Sequence, residues 1–84
     1  MKKISLFNGH ETPEALSNIC FMRRCDAVEL RVALGNCKNS AELLRTIKKM
    51  TALEWVIMLD TEDEIILKNT DKLGNKKYLR WSAS

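Results

Sequence analysis

The feature that most constrains this chain is the run of five consecutive apolar residues at positions 55–59, Trp-Val-Ile-Met-Leu. It is the longest apolar run in the sequence, and a membrane span would need about 18 such residues. A short, continuous run with β-branched and aromatic members predicts a strand that is covered on both faces. We therefore expect a sheet in the fold.

The length of 84 residues limits the chain to one domain, spanning positions 1–84, because only one hydrophobic core fits. A chain this short buries little surface, so a substrate pocket walled on all sides is not expected, and neither is an enzymatic activity. The apolar stretch at 4–7 that follows Lys2 and Lys3 is too short for a signal peptide. We expect a cytoplasmic protein with no membrane contact.

A helix-start signal follows the predicted first strand at 3–7. Thr12 suits an N-cap, Pro13 suits the first helical position, and Glu14 adds an acid to the first turn. These residues predict a helix that continues to about residue 24.

A clearer helix is predicted over 40–50. Asn39 or Ser40 caps it, and apolar residues spaced for one helical face follow. The opposite face carries three basic residues: Arg45, Lys48 and Lys49.

The segment 26–34 fits two structures. Its apolar residues stand at every second position, which is the period of a half-buried strand: Val28, Leu30, Val32 and Leu34. Asp26 and Glu29 also fit a helix capping box, and Gly35 suits a helix C-terminus. We favour the strand on the alternation.

Residues 64–81 also permit two structures, a helix over 64–73 or a hairpin that joins strands at 65–68 and 77–81. The residues Tyr-Leu-Arg-Trp at 78–81 favour the hairpin. The fold class expected from all segments is α+β, a two-layer sandwich in which two or three helices cover one face of a small sheet.

Charge and cysteine content restrict the chemistry further. The formal net charge is only +3, which argues mildly for an anionic partner. Three cysteines cannot all pair with one another, and their spacing fits no usual zinc site, so we expect free thiols and no metal. Three glycines are too few to build a nucleotide cradle, and no cofactor is expected.

The histidine at position 10 is the candidate chemical residue. His10 lies directly ahead of the predicted helix start at Thr12 and Pro13, where unpaired backbone N–H groups and the helix dipole bind anions. A phosphoryl group on His10 would be stabilised there, with Thr12 and Pro13 supporting the phosphate.

The sequence around His10 resembles the HPr family of histidine phosphocarriers of the sugar phosphotransferase system. Gly9 precedes His10, and His10 and Pro13 keep the His-x-x-Pro spacing, although Thr12 stands where the family has arginine. Ser40 falls at the position of the family's regulatory serine. The resemblance implies a non-enzymatic phosphocarrier or regulatory protein that accepts a phosphoryl group at His10 and acts through partner proteins.

Two other functions stay open. If 26–34 is helical, this segment and the helix at 40–50 resemble a helix-turn-helix, and the hairpin would be its wing. Nucleic acid would then contact six basic residues: Arg45, Lys48, Lys49, Lys72, Lys76 and Lys77. The third function is a small phage-type inhibitor or adaptor that binds a protein through Trp55, Tyr78 or Trp81.

Overall fold

The computed structural model describes residues 2–20 and 25–83, which form a five-stranded antiparallel sheet and two α-helices. The strands are β1 (Lys3–Asn8), β2 (Thr12–Glu14), β3 (Val56–Asp60), β4 (Glu64–Thr70) and β5 (Lys76–Ser82), in the spatial order β2-β1-β5-β4-β3. The helices are α1 (Ala27–Gly35) and α2 (Ser40–Thr51). The expected α+β class is confirmed.

The core lies between the helices and one face of the sheet, called here the inner face. Alternate residues of β1, β4 and β5 point into it, so Leu6 pairs with Leu79 and Leu79 pairs with Leu67. Trp81 lies beside them, and its indole N–H donates to the Leu34 carbonyl of α1 over 2.9 Å. This bond joins the helical layer to the centre of the sheet.

The helix predicted from Thr12 onward is not formed. Residues Thr12–Glu14 are β2, which pairs antiparallel with β1, and a short 3-10 helix follows at Leu16–Ile19. The predicted end of the helix, at 21–24, lies outside the described residues. Asn8-Gly9 provides the reason, because Gly9 adopts φ +69° and turns the chain back into a hairpin. Pro13 is accommodated because β2 is an edge strand.

The strand favoured at 26–34 is also wrong, since this segment forms α1. The Asp26 side chain accepts a hydrogen bond from the Glu29 N–H at 2.7 Å, which is the capping interaction of a helix N-terminus. Leu30 and Leu34, four residues apart, are fully buried, whereas Val28 is 71% exposed. Leu30 and Leu34 therefore form the buried stripe of a helix, and the four alternating apolar residues do not form one buried face of a strand.

The second helix is confirmed as α2, with Asn39 as its N-cap. Leu43 and Ile47 form its fully buried stripe, while Ala41, in the first turn, is exposed. The hairpin at the end of the chain is also confirmed, as β4 and β5.

The strand predicted at 55–59 exists as β3, but the expectation that both its faces are covered is wrong. All five residues of β3 are exposed, and only Trp55, just before the strand, is buried. Two helices cover the inner face alone, and β3 is the last strand of the sheet. Its apolar side chains consequently remain at the surface.

Candidate binding groove on the outer face of the sheet

The sheet face opposite the helices, called here the outer face, carries a concave apolar surface. Phe7 and Tyr78 are cross-strand partners on β1 and β5, and Leu59 and Ile66 are partners on β3 and β4. All four line a groove of about 760 Å³, which we call the outer groove. Side chains from four adjacent strands thus converge on one depression.

Three aromatic rings form one end of the outer groove: Phe7, His10 and Tyr78. The ring of His10 stacks on that of Tyr78, with centroids 5.1 Å apart and planes inclined by 25°. His10 is placed there by the turn between β1 and β2, where the Gly9 N–H donates to the Lys76 carbonyl at 2.9 Å. The turn is therefore attached to β5, the strand that carries Tyr78.

Met58 and Leu59 form the opposite, aliphatic end of the outer groove. Successive residues of a regular strand point to opposite faces, so both would not line the same depression. A register shift between Ile57 and Leu59 places an extra residue in β3, and both side chains reach the groove. Bulges of this kind often redirect a side chain at a binding site.

Charged groups of both signs line the groove. Glu64 and Arg80, on β4 and β5, form an ion pair through a carboxylate oxygen of Glu64 and the Nε of Arg80. Glu11 adds a second carboxylate near the aromatic end. Arg80 is the one lysine or arginine among the described lining residues, and it is already paired with a carboxylate.

The predicted phosphate site is only partly assembled. His10 is exposed in the outer groove, but Thr12 and Pro13 lie in β2, so the chain continues from the histidine into a strand and not into the predicted α-helix. The backbone N–H groups and dipole expected to hold a phosphate are therefore not supplied by this segment. Ser40 lies at the other sheet edge, where its hydroxyl donates to the Asp60 carboxylate at 2.6 Å.

The six basic residues predicted for nucleic-acid binding fall into two groups. Arg45, Lys48 and Lys49 are exposed on α2. Lys72 and Lys76 are exposed around the β4–β5 turn, whereas the Lys77 ammonium contacts both oxygens of Glu14, at 2.7 and 2.8 Å. Lys77 consequently joins β5 to β2, and its charge is already compensated.

Glu14 is expected to make stability depend on pH. Burial alone would raise the pKa of its carboxyl, but hydrogen bonds from Lys77 and Asn18 and the Lys77 charge hold that pKa below the ordinary value of 4.5. The unfolded chain therefore takes up this proton at a higher pH than the folded chain, and the stabilisation is lost as the pH falls below about 4.5.

We expect Glu14→Gln to lower the free energy of unfolding by about 0.5–1 kcal/mol at pH ~7 and by almost nothing at pH ~2. Urea unfolding at the two pH values measures the difference. Glu11→Gln, in the preceding loop, is the control and should leave the free energy of unfolding unchanged at both pH values. An equal loss for Glu14→Gln at both pH values would contradict the expectation.

Two of the aromatic anchors suggested by the sequence are core residues. Trp55 is 1% exposed and Trp81 is 4% exposed, so neither is available to a partner. Tyr78 is also largely covered, but it lies on the outer face and lines the groove. Of the three candidates, only Tyr78 belongs to the site.

Burial works against nucleophilic chemistry at two of the thiols, those of Cys20 and Cys37. Burial, a hydrogen bond with Cys25 and the charges of Cys25 and Asp26 raise the pKa of Cys20 to about 11. Burial also raises the pKa of the Cys37 thiol, against an opposing hydrogen bond with Thr46. Both thiols stay protonated, which is the unreactive form.

Sequence reasoning missed Met58, Leu59 and Ile66 as site residues. For Met58 and Leu59 the signal was present in the apolar run at 55–59, but a run of this kind looks the same in a covered strand and in an exposed binding edge. The Asn-Gly turn at positions 8 and 9, a hairpin signal, would have placed His10 at the edge of a sheet.

The chain matches no protein-family model, no curated protein and no solved structure. None of the helices in residues 2–20 and 25–83 is long and apolar enough to cross a membrane.

Proposed function

We propose that this protein is a small protein-binding module and that the outer groove is its binding surface. The observation that carries the proposal is the exposed apolar end of the groove on β3. Met58 is 52% exposed and Leu59 is 37% exposed, next to the half-buried Ile66. Contiguous exposed apolar surface of this kind marks interaction sites in soluble proteins.

The composition of the groove supports a protein partner over a small charged substrate. Aromatic residues and methionine are enriched in the centres of protein interfaces, and the groove combines Phe7, Tyr78 and Met58. Among the described residues that line it, the one arginine is paired with Glu64, so its charge is already compensated. The groove also lies on the sheet face that the helices do not cover, as expected for a docking surface on a small domain.

A selection from a phage-displayed random peptide library tests the proposal. Peptides enriched on the wild-type protein are synthesised, and their Kd is measured for two variants. We expect Leu59→Lys to weaken binding at least about tenfold, because a charged side chain then occupies the apolar end of the groove.

Val32→Lys provides the matched control, since Val32 is 44% exposed on α1 and Leu59 is 37% exposed on β3. Both variants place a lysine at a half-exposed apolar position, and circular dichroism checks that both are folded. The proposal fails if the enriched peptides bind Leu59→Lys and wild type equally, or if no peptide is enriched.

Nucleic-acid binding is a second candidate, favoured by the helix pair. α1 ends at Gly35 and α2 begins at Ser40, a short turn as in a helix-turn-helix, and α2 carries exposed basic residues. Against it, β4 and β5 are central strands of the sheet instead of a projecting wing.

Fluorescence anisotropy with a random-sequence DNA duplex decides this second candidate. Nucleic-acid binding requires that the protein binds the duplex at about 0.05 M salt and that the affinity falls at least about tenfold by about 0.2 M salt. It also requires that reversing the charges of Lys48 and Lys49 to glutamate weakens binding more than Lys68→Glu, on the opposite face of the sheet. If no binding is seen at low salt, nucleic-acid binding is excluded.

Phosphorylation of His10 stays a prediction. A test for acid-labile phosphate on the wild-type protein and on His10→Ala addresses it.

A further inference from the structure

Strand β3 has one backbone edge that pairs with β4, and in residues 2–20 and 25–83 no strand pairs with its second edge. Within the described part of the chain, the backbone hydrogen bonds outside the regular elements involve no residue of Val56–Asp60. A row of free N–H and C=O groups along an exposed strand is a template for another extended chain. Soluble proteins usually place lysine or proline on such an edge, and β3 has neither.

The side chains beside this edge are apolar as well. Val56 is 54% exposed and Ile57 is 40% exposed, and Met58 and Leu59 continue into the outer groove. A strand added here would therefore gain backbone hydrogen bonds and also place alternate side chains on the groove side. Both contributions are typical of recognition by strand addition.

The charges at the two ends of β3 define what kind of strand fits. Glu54 precedes β3, and Glu62 and Asp63 follow it, and all three are exposed. The salt bridges formed within residues 2–20 and 25–83 are Lys77 with Glu14 and Arg80 with Glu64, so these three acids are not neutralised there. A bound segment with basic residues at its ends would complement them.

A second copy of this chain fits poorly for the same reason. Antiparallel pairing of two β3 strands about a two-fold axis at Met58 places Glu54 of each copy opposite Glu62 of the other. Like charges directly opposite one another destabilise paired strands. The charge pattern thus disfavours self-association through this edge.

We infer that the partner contributes an extended segment that adds to the free edge of β3 as a sixth strand, with alternating apolar side chains towards the outer groove and lysine or arginine at its ends. This inference rests on the proposed function and specifies its ligand. The segment's backbone bonds the edge, its apolar residues cover Met58 and Leu59, and its basic residues face the acids at both ends of β3.

The test uses the peptides enriched from the random library on wild-type protein. We expect them to share alternating apolar residues with flanking lysine or arginine. On binding, amide hydrogen exchange of 56–60 should slow at least about tenfold, because the free N–H groups become hydrogen-bonded. Glu62→Lys should raise the Kd about threefold or more, with the effect reduced in high salt. Glu29→Lys, the same charge change on α1, should leave the Kd unchanged.

The outcomes separate the two proposals. Suppose that the enriched peptides bind more weakly to Leu59→Lys but lack basic ends, or leave amide exchange at 56–60 unchanged. Either result would contradict strand addition at β3 while still supporting the outer groove as the binding surface. Peptides that bind Leu59→Lys as well as wild type overturn both. A dimer in sedimentation equilibrium that Leu59→Lys dissociates would identify a second copy as the occupant and would also overturn this inference.

Discussion

Leu30→Asp is expected to unfold the protein. Leu30 is fully buried on α1 within the core cluster that also contains Leu34, Leu43 and Ile47. An aspartate there would replace an apolar side chain of this cluster, and burying an unpaired carboxylate costs several kcal/mol in addition to the lost apolar contacts. A domain of this length has a total stability on the order of 4–12 kcal/mol, so the variant should lose its cooperative unfolding transition.

Val28→Asp is the decisive control for this prediction. Val28 is two residues away and 71% exposed, so the same charge there should lower the free energy of unfolding by less than about 0.5 kcal/mol. If 26–34 were a strand with one buried face, both substitutions would bury a charge and both would unfold the protein. Thermal unfolding followed by circular dichroism distinguishes the two cases. An equal loss of stability in Leu30→Asp and Val28→Asp would contradict the helical structure of this segment.

The second large effect is expected at Trp55. Its side chain is buried in the core cluster, and the indole N–H donates to the Thr51 hydroxyl of α2 at 3.1 Å. That hydroxyl in turn donates to the Ile47 carbonyl at 2.7 Å. Trp55→Ala removes the largest fully buried side chain and should lower the free energy of unfolding by about 3–5 kcal/mol in urea titrations.

Two further variants separate packing from hydrogen bonding. Trp55→Phe keeps most of the ring but loses the donor, so we expect a smaller loss, of about 1–2 kcal/mol. Leu73→Ala, at an 87% exposed position, should change stability by less than about 0.5 kcal/mol. If Trp55→Ala were as mild as Leu73→Ala, Trp55 would be a surface residue available to a partner, contrary to its place in the core.

The candidate site was predictable only in part. His10 and Tyr78 stand out as the single histidine and the single tyrosine of the chain, and both line the outer groove. The environment of His10 was not predictable, because Thr12 and Pro13 satisfy the rules for a helix start and also fit a short edge strand. Met58 entered the site through a bulge, and a bulge depends on how β3 pairs with β4, not on local composition.

The sequence by itself determined the elements in which local signals agree. α2 has a capping residue at Asn39 and a buried stripe at helical spacing, and both point to the same structure. The β4–β5 hairpin has its strands close together in the chain, so its pairing needs little long-range information.

Tertiary structure decided the segments in which local signals conflict. β1 pairs with β5, as between Ile4 and Trp81, and the position of β5 next to β1 leaves β3 at the edge of the sheet. The segment 26–34 is a helix in which Leu30 and Leu34 reach the core while Val28 and Val32 stay exposed, whereas a strand would have placed all four on one face. The apolar residues of β3 remain exposed because two helices cover only one face of a five-stranded sheet. Which apolar run is covered depends on packing between distant residues, which a local pattern does not contain.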